Sequence, residues 1–357
     1  MKKTDNKIVA DLFPLLFNFL KDIFKNSGVM KHLKVLFLSQ DKIKKLLTIN
    51  DAIQAVEYAF RMHSEKMVQM PPKIYLNFER YNGDLRTMPA YIEPLDASGV
   101  KIVNVHIHNK KIGLPTVMAV FVLVNPRTGA PLAVMDATYI TDLRTGAAGA
   151  VATKYLARKD AKTLGLVGAG RQAELQLLAI GSIKRVKWIS VCALTGGEAE
   201  KFAKRMRKKT GLNVVAMDIE DVCASEIIST TTPVRSPIVK NEWIKSGTHI
   251  NAIGADAPGK QELEVGILKR SRLFVDDMKQ AVHSGEVNVG LIKKQIKLMN
   301  IAAELCEVVT GKKKGRLKNS DITLFDSTGL ALQDVVLAYR AYRKALKNGE
   351  GQVLSLF

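Results

Sequence analysis

The stretch TLGLVGAGRQAELQLLAI, residues 163–180, places a glycine turn between a short apolar run and a segment with helical spacing. The turn, GAGRQA at residues 168–173, matches the pattern G-x-G-x-x-G/A in the strand-before, helix-after context that makes it informative. The first glycine permits a tight turn, and the second lets the backbone approach a pyrophosphate at the helix N-terminus. The stretch therefore predicts a dinucleotide-binding unit, with contacts from Gly168, Ala169, Gly170, Arg171 and Gln172.

From residue 140 onwards, short apolar runs alternate with helical segments. A small-residue helix is predicted at 141–157, and a last strand at 322–326 continues into a helix that begins near Ser327. Further predicted strands are VKWISVCA, NVVAM, EIIST, THINAIG and RLFVDD. This alternation is typical of a doubly wound parallel sheet of the Rossmann type.

Before residue 140 the pattern changes to closely spaced strands with few helices. A strand at 33–39 is followed by a helix capped by Thr48 or Asn50. Strands then follow at 71–79, 83–93, 100–106 and 116–125, and in the segment LAVMDA. The turn Asn82-Gly83 joins two of them. This part of the chain predicts an antiparallel sheet.

Composition limits the function classes. The chain has 357 residues, enough for two domains. Its cysteines, Cys192, Cys223 and Cys306, are widely spaced and odd in number, which argues against a disulfide framework and fits a cytoplasmic protein. The net charge of +20 is spread along the chain without a nucleic-acid motif, so we interpret it as a solvated surface. No nucleic-acid partner is expected.

Residues 1–29 form an N-terminal extension of different composition. Asp11, Pro14, Asn18 and Lys21 interrupt its apolar residues, and the unbroken apolar run is too short to span a bilayer. No small-residue cleavage site follows it, which disfavours a signal peptide. The extension is interpreted as an amphipathic helix, a surface-binding segment or an artefact of start-site choice before Met30. No transmembrane segment is expected.

The strand after the glycine turn bears on the choice of dinucleotide. It ends near Cys192-Ala193-Leu194-Thr195, with neither the acid that reads the ribose of NAD nor an arginine for the phosphate of NADP. Thr195 can hydrogen-bond either cofactor. NAD is the predicted cofactor, and NADP stays open.

Several sequence blocks resemble, in the same order, the family of ornithine cyclodeaminase, mu-crystallin and the archaeal alanine dehydrogenases, and most of all the last. The resemblance covers residues 30 to about 350. The blocks are QMPPKIYL, DLRTMPA, GVKIVN, GLPTVMAV, MDATYITDLRTGAAGA, GLVGAGRQA, ISTTTP, HINAIGADAPGKQEL and ITLFDSTGLALQD.

The resemblance implies an α/β fold with two domains. A dinucleotide-binding Rossmann domain, residues 144–324, would lie between the two parts of an α+β substrate-binding and dimerisation domain, residues 30–143 and 325–357. Members of the family form homodimers through the antiparallel sheet. The change in pattern near residue 140 agrees with this division.

Two residues match the catalytic pair of the family. Lys101 in GVKIVN matches a catalytic lysine; without the resemblance it would be interpreted as a strand lysine in water. Asp256 lies in the loop GADAPGK, where small residues after a strand let a carboxylate approach substrate and nicotinamide. The competing interpretation of Asp256 is a helix N-cap.

Lys73 and Arg86 match positions that line the substrate pocket, where two cations suit an α-carboxylate. Surface solvation is the alternative for each. In the cyclodeaminase a glutamate at the position of Arg86 binds the distal ammonium of ornithine. An arginine repels that ammonium, so Arg86 favours a short amino acid without a distal charge.

The remaining matches concern the cofactor. Arg144 and Thr145 match residues near the pyrophosphate and the substrate carboxylate, although Thr145 could instead cap a helix. Ser327 and Thr328 could likewise cap the last helix. The other matched cofactor contacts are Thr116, Thr231, Ala252, Ile253, Lys260 and Ser327. His106 and His108 alternate on a strand without a third ligand, so no metal site is predicted.

The leading hypothesis is an NAD(P)-dependent L-alanine dehydrogenase that interconverts alanine with pyruvate and ammonia. One alternative is an ornithine cyclodeaminase or a cyclic-imine (ketimine) reductase. Another is a non-catalytic, nicotinamide-dependent ligand-binding protein like mu-crystallin. A small amino or keto acid is the expected ligand in the first case.

Overall fold

The computed structural model describes residues 33–356, and the N-terminal extension 1–29 lies outside the described residues. Residues 35–354 form one compact unit. Of the described residues outside it, Leu356 donates its amide to the carbonyl of Leu33 at 3.1 Å. Within residues 33–356, no helix is long and apolar enough to cross a membrane.

Sixteen strands within this described range make two sheets. The first contains β1 Lys34–Leu38, β2 Val68–Gln69, β3 Ile74–Phe78, β4 Gly83–Ile92, β5 Ala97–His106, β6 Val117–Val124, β7 Pro131–Asp136 and β16 Gln352–Ser355. The second contains β8 Thr163–Val167, β9 Trp188–Cys192, β10 Val214–Ala216, β11 Ile227–Thr230, β12 His249–Ala252, β13 Ser271–Val275, β14 Ile301–Glu304 and β15 Ile322–Asp326.

The second sheet is parallel throughout, in the order β10-β9-β8-β11-β12-β15-β13-β14. The order reverses beside β8, which carries the glycine turn at its carboxyl end. Ligands of open parallel sheets bind at such a reversal, outside the carboxyl ends of the strands. The predicted doubly wound sheet is therefore confirmed, and the edge strand β14 is an addition to it.

The first sheet is mixed rather than purely antiparallel. Strands β2 to β7 pair antiparallel, with β3 and β2 both on β4, as the closely spaced strands predicted. However, β1 lies parallel to β7, because the helices that follow β1 carry the chain across the sheet before β2 begins. Apolar patterning gives no strand direction, so the prediction for β1 was wrong in this respect.

Helices cover one face of the first sheet and both faces of the second. They are α1 Gln40–Leu46, α2 Ile49–Ser64, α3 Thr138–Leu156, α4 Arg171–Ile183, α5 Gly196–Thr210, α6 Ile219–Cys223, α7 Val265–Arg270, α8 Met278–Ser284, α9 Val287–Ile292, α10 Leu305–Val309 and α11 Ala331–Asn348. Thr48 caps α2 in a capping box with Asp51, as predicted. Helix α3 begins three residues earlier than predicted, and α11 begins at Ala331, after the Ser327-Thr328-Gly329 segment.

Helix α3 contacts strands of both sheets. Its small residues let the backbone of α4 approach closely. It is buried over most of its length. A Cβ on Gly146 would lie 2.8 Å from the carbonyl oxygen of Leu175, and one on Gly149 would lie 2.1 Å from Gln176 Oε1. Larger side chains at these two positions would separate α3 from α4.

Alanine substitution at two glycines should have opposite effects on the stability of the fold. A Cβ on Gly165 in β8 would lie 2.2 Å from the backbone carbonyl of Val222, so we expect Gly165→Ala to destabilise the fold by about 1–3 kcal/mol. Gly181 lies in α4, where a Cβ would meet only Leu212 Cδ1 at 3.7 Å. Gly181→Ala should stabilise by about 0.5–1 kcal/mol, since alanine restricts the unfolded chain. Urea denaturation measures both, and equal effects would contradict the packing described.

Candidate active site

Lys101 is completely buried on the helix-covered face of the first sheet. Its amine lies 2.8 Å from Asp334 Oδ2, a buried carboxylate on α11. Neither atom has a partner in hydrogen-bond geometry among the described residues. The alternative interpretation of Lys101 as a strand lysine in water is therefore wrong, since α11 covers the position.

Burial lowers the pKa of Lys101 to about 7. The Asp334 carboxylate opposes this shift, while the neighbouring cations Arg144 and Lys73 add to it. An amine with a pKa near neutrality can exchange protons with a ligand at physiological pH.

Arg86 in β4 is 6% exposed and makes a three-way ion pair. Its Nε and Nη2 donate to the two oxygens of Asp84 at 2.8 and 3.0 Å. Its Nη1 donates to Asp256 Oδ2 at 3.1 Å. The guanidinium also lies over the ring of Tyr75, 5.3 Å from its centroid. The surface-solvation alternative for Arg86 is therefore wrong.

The loop that carries Asp256 follows β12 and contains no helix, so the N-cap interpretation of Asp256 is wrong. A Cβ on Gly254 would lie 2.1 Å from the carbonyl of Thr232, so this position requires glycine. The buried carboxylate of Glu262 accepts the amides of Gly254 and Thr232 at 2.9 and 2.6 Å. These contacts hold the loop beside the end of β11.

Asp256 is ion-paired on two sides. Lys260 Nζ lies 2.5 Å from Oδ1, and Arg86 binds Oδ2. Burial tends to raise the pKa of Asp256, but the charges of Lys260 and Arg86, with a contribution from Lys73, hold it well below its usual range. Asp256 is therefore a carboxylate anion whose basicity is low while both cations stay in place.

Lys73 extends from the segment before β3 to the loop after β15, where it donates to the carbonyl of Thr328 at 2.5 Å. Burial lowers the pKa of Lys73 to about 8, with Asp276 and Asp256 opposing the shift. Asp276 is fully buried and accepts the amides of Thr328 and Gly329, each at 2.7 Å. Burial raises the pKa of Asp276 to about 6.

Arg144, Thr145 and Ser327 lie at the meeting point of α3 and the loop before α11. Arg144 Nε is 3.6 Å from Asp334 Oδ1, and its guanidinium occupies the space that a Cβ on Gly329 would need. The Thr145 hydroxyl donates to the Thr141 carbonyl at 2.7 Å within α3, so it does not cap that helix. Leu330 holds the N-cap position of α11, so neither Ser327 nor Thr328 caps it.

Several buried polar atoms around these residues have no hydrogen-bond partner within residues 33–356. Since unpaired buried polar atoms are costly, such a group indicates a place where a polar ligand completes the structure. Ser327 Oγ, Gln333 Nε2 and Tyr75 Oη are such atoms. Lys101 Nζ, Arg144 Nε and the two oxygens of Asp334 also lack hydrogen-bond geometry, but they are ion-paired with one another.

The glycine turn has the geometry that a dinucleotide requires. Gly168 adopts φ +107°, and a Cβ there would lie 2.6 Å from Thr231 Oγ1, so only glycine fits. Gly170 is exposed, and a Cβ added to it would meet no described atom within 4 Å, which leaves its backbone open at the N-terminus of α4. Thr231 donates its hydroxyl to the Val167 carbonyl at 3.2 Å and so fixes the far wall of the turn.

The other predicted cofactor residues divide into three groups. Ala252 and Ile253 end β12 within the site, since the Ala252 carbonyl accepts the amide of Ser327 at 3.0 Å. Arg171 and Gln172 both donate to Asp142 on α3, at 2.8 and 3.2 Å. Among residues 33–356, no hydrogen bond or ion pair joins Thr116 or Thr195 to the rest of the site. Thr195 is the N-cap of α5, and its hydroxyl accepts the amide of Glu198 at 3.3 Å.

Four acids that line or brace the site were missed from the sequence. Asp334 is on the buried side of an amphipathic helix, and Asp276 follows a buried strand. Asp84 lies two residues from Arg86 on the same strand face, a spacing that could have indicated the pair. Glu262 follows the loop that it braces.

Known proteins are similar to this chain in sequence and in fold. Residues 33–349 match the model of the ornithine cyclodeaminase/mu-crystallin family. An alanine dehydrogenase of Archaeoglobus fulgidus is 46% identical over 325 residues, which cover 91% of this chain and 99% of that protein.

Two solved structures have the same fold. An archaeal alanine dehydrogenase dimer with bound NAD matches with a TM-score of 0.88 and 46% identity, over 91% of this chain and 100% of that one. The Thermococcus litoralis Δ1-pyrroline-2-carboxylate reductase, in complex with NADH and L-proline, matches with a TM-score of 0.87 and 40% identity, over 89% and 99%. The predicted fold class is confirmed. The chain is an oxidoreductase and belongs to the ornithine cyclodeaminase/mu-crystallin family.

Proposed function

We propose that the protein is an NAD-dependent L-alanine dehydrogenase, which converts alanine and water to pyruvate and ammonium and also works in reverse. The observation that carries this proposal is the state of Arg86, which is fixed by Asp84 and Asp256 at the substrate end of the site. A fixed cation there suits a small amino acid and disfavours one with a distal ammonium. The 46% identity to an alanine dehydrogenase supports the same substrate.

The substrate carboxylate is bound by cations of the first sheet and of α3 in this proposal. Lys73, Arg86 and Arg144 interact through their charges, as the shifts in the pKa of Lys73 reflect. A carboxylate that enters between them gains charge-assisted hydrogen bonds and relieves the repulsion between like charges. Its binding would also satisfy Arg144 Nε, which has no hydrogen-bond partner in residues 33–356.

Lys101 is the proposed proton acceptor. Alanine enters as an ammonium ion and must lose a proton before hydride can leave its Cα. With a pKa of about 7, part of the Lys101 population is neutral at physiological pH and can take this proton. After Lys101 has released this proton to solvent, the neutral amine can accept a second proton from the water that adds to the iminium carbon.

Asp256 has a different proposed role. Its low pKa makes it a weak base, so we assign it to electrostatic stabilisation of the positive iminium carbon and to orientation of the attacking water. Displacement of Lys260 or Arg86 by substrate would increase the basicity of Asp256. Addition of water and loss of ammonia then give pyruvate.

NAD is the proposed cofactor, and it supplies hydride acceptance at its nicotinamide. The residues that would hold it are Gly168, Ala169, Gly170, Thr231, Ile253 and Ser327, because they line the carboxyl ends of β8, β11, β12 and β15. NADP stays open, since β9 ends near Thr195 with neither an acid for the ribose of NAD nor an arginine for the phosphate of NADP. The proposed location is the cytoplasm.

A homodimer is the proposed assembly. The solvent face of the first sheet carries a mostly apolar cross-strand row, which consists of Ile74, Thr87, Ile102 and Val120. Ile74 is 61% exposed and Val120 is 45% exposed. A continuous apolar strip on a sheet face is typical of a protein–protein contact.

Reduction of a cyclic imine is the second candidate, because the Thermococcus litoralis reductase is 40% identical over most of the chain. Both reactions reduce a C=N bond beside a carboxylate. They differ in whether the nitrogen comes from free ammonium or from the ring of the substrate.

A substrate panel tests the proposal directly. We expect NAD reduction with L-alanine, and NADH oxidation with pyruvate plus ammonium. Absorbance of the reduced nicotinamide measures both reactions, and the same assays are run in parallel with NADP and NADPH. Turnover confined to Δ1-pyrroline-2-carboxylate would establish the second candidate. Net conversion of ornithine to proline would establish a cyclodeaminase, and binding without any turnover would indicate a mu-crystallin-like protein.

The pH profile tests the role of Lys101. For alanine deamination, kcat/KM should rise with an apparent pKa near 7. Lys101→Arg, which stays protonated, should lower kcat by about 10²–10⁴-fold. Because the Asp334 charge raises the pKa of Lys101, Asp334→Asn should move the rising limb to lower pH. Glu57→Gln, in an ion pair outside the site, is the control, and an unmoved limb in Asp334→Asn would refute the assignment.

The proposed dimer face also has a direct test. Val120→Lys should convert a dimer to a monomer in light-scattering measurements, because the lysine charge would be buried at the sheet–sheet contact. Met299, at 83% exposed, lies outside the first sheet, so Met299→Lys should leave the mass unchanged. If the Val120→Lys variant remains a dimer, the interface lies outside this face of the first sheet.

A further inference from the structure

A second cluster of ligand-type side chains lies outside the active site. It contains His63 at the end of α2, Glu304 at the end of β14 and Cys306 in α10. One donor atom from each lies within 4.8 Å of the others. His63 and Glu304 are half-buried and Cys306 is buried, so the cluster is reached from one side only.

Cys306 donates a thiol hydrogen bond to Glu304, and this contact has the length of an edge of a metal coordination shell. Cys306 Sγ is 3.5 Å from Glu304 Oε2, and His63 Nε2 is 3.5 Å from Asp277 Oδ2. Ligands of a tetrahedral zinc ion, bound at about 2.0–2.3 Å, are about 3.3–3.7 Å apart. The Sγ–Oε2 separation therefore matches an edge of such a coordination shell.

Glu304 and Asp277 each use one carboxylate oxygen to accept a backbone amide, which leaves the other oxygen of each for a further partner. Glu304 Oε1 accepts the amide of Met278 at 2.8 Å, and Asp277 Oδ1 accepts the amide of Gln280 at 2.9 Å. These bonds fix both carboxylates with Oε2 and Oδ2 towards the cluster. Fixed second contacts of this kind orient metal ligands.

The charge around the cluster favours a cation. The pKa of His63 is raised because the hydrogen bond to Asp277 and the charges of Glu304, Asp277 and Asp276 outweigh the effect of burial. Burial, with the nearby carboxylate of Glu304, raises the pKa of Cys306 to about 12, so the thiol keeps its proton unless a stronger cation replaces it. A divalent ion would neutralise this excess of negative groups and bind the thiolate.

We propose that His63, Glu304 and Cys306 bind a divalent zinc-type metal ion, with water in the fourth position. Asp277, which pairs with His63, orients that ligand. The ion connects α2, which packs on α3 and α11, to the edge of the second sheet. Asp277 adjoins Asp276, which holds the loop that Lys73 contacts.

Cobalt(II) is the probe, since a thiolate ligand gives a charge-transfer absorption in the near ultraviolet. We expect tag-free, chelator-treated full-length protein to bind one equivalent of cobalt with this absorption and with visible bands of tetrahedral intensity. Cys306→Ser should lose the thiolate absorption. Cys192→Ser, which changes another buried free cysteine, should keep it.

His63→Gln provides a variant at a half-buried position in case Cys306→Ser does not fold. It should bind cobalt at least tenfold more weakly. Zinc should raise the thermal unfolding midpoint of the wild type and of Cys192→Ser, but not that of His63→Gln. Absence of a thiolate absorption in the wild type at stoichiometric cobalt would overturn the proposal, as would its persistence in Cys306→Ser. No substrate or NAD is needed, so the result is independent of the proposed alanine chemistry.

Discussion

The burial of the Lys101 amine against Asp334 is the interaction on which the site depends. A lysine at the centre of a sheet would normally extend to water, because removing an ammonium from water costs several kcal/mol. Helix α11 covers the position and supplies one carboxylate at 2.8 Å. The Asp334 carboxylate offsets only part of the cost of burying the ammonium, because the nearby cations Arg144 and Lys73 repel it. The amine therefore has a pKa of about 7.

Other buried charges of the site are likewise held by opposite charges or by hydrogen bonds. Arg86 and Lys260 fix Asp256 as an anion, and Asp276 holds the Thr328-Gly329 segment that Lys73 contacts. Side chains of the first sheet are thereby tied to loops at the carboxyl ends of the second. These charges have partners, but several buried polar atoms have none among the described residues. An anionic substrate with a polar nitrogen would complete this arrangement.

Much of this architecture could be predicted from local sequence. The glycine turn, the apolar strands and the capping box of α2 each follow from a few neighbouring residues. The direction of β1 and the short edge strand β14 did not follow, because pairing partners are distant in sequence and IAAE has no strong strand pattern. The resemblance identified Lys101, Asp256, Lys73 and Arg86. Whether each takes the role assigned to it stays a proposal, and Asp334 was missed because its burial depends on the tertiary position of α11.

Helix α11 also has a consequence for biosynthesis. Strand β5, with Lys101, leaves the ribosome long before Asp334, and the whole parallel sheet is translated between them. Until α11 docks, the sheet face that holds Lys101 is open to water, and the amine keeps the basicity of an ordinary lysine. In the proposed mechanism the proton acceptor therefore forms last, when the late helix closes over the sheet.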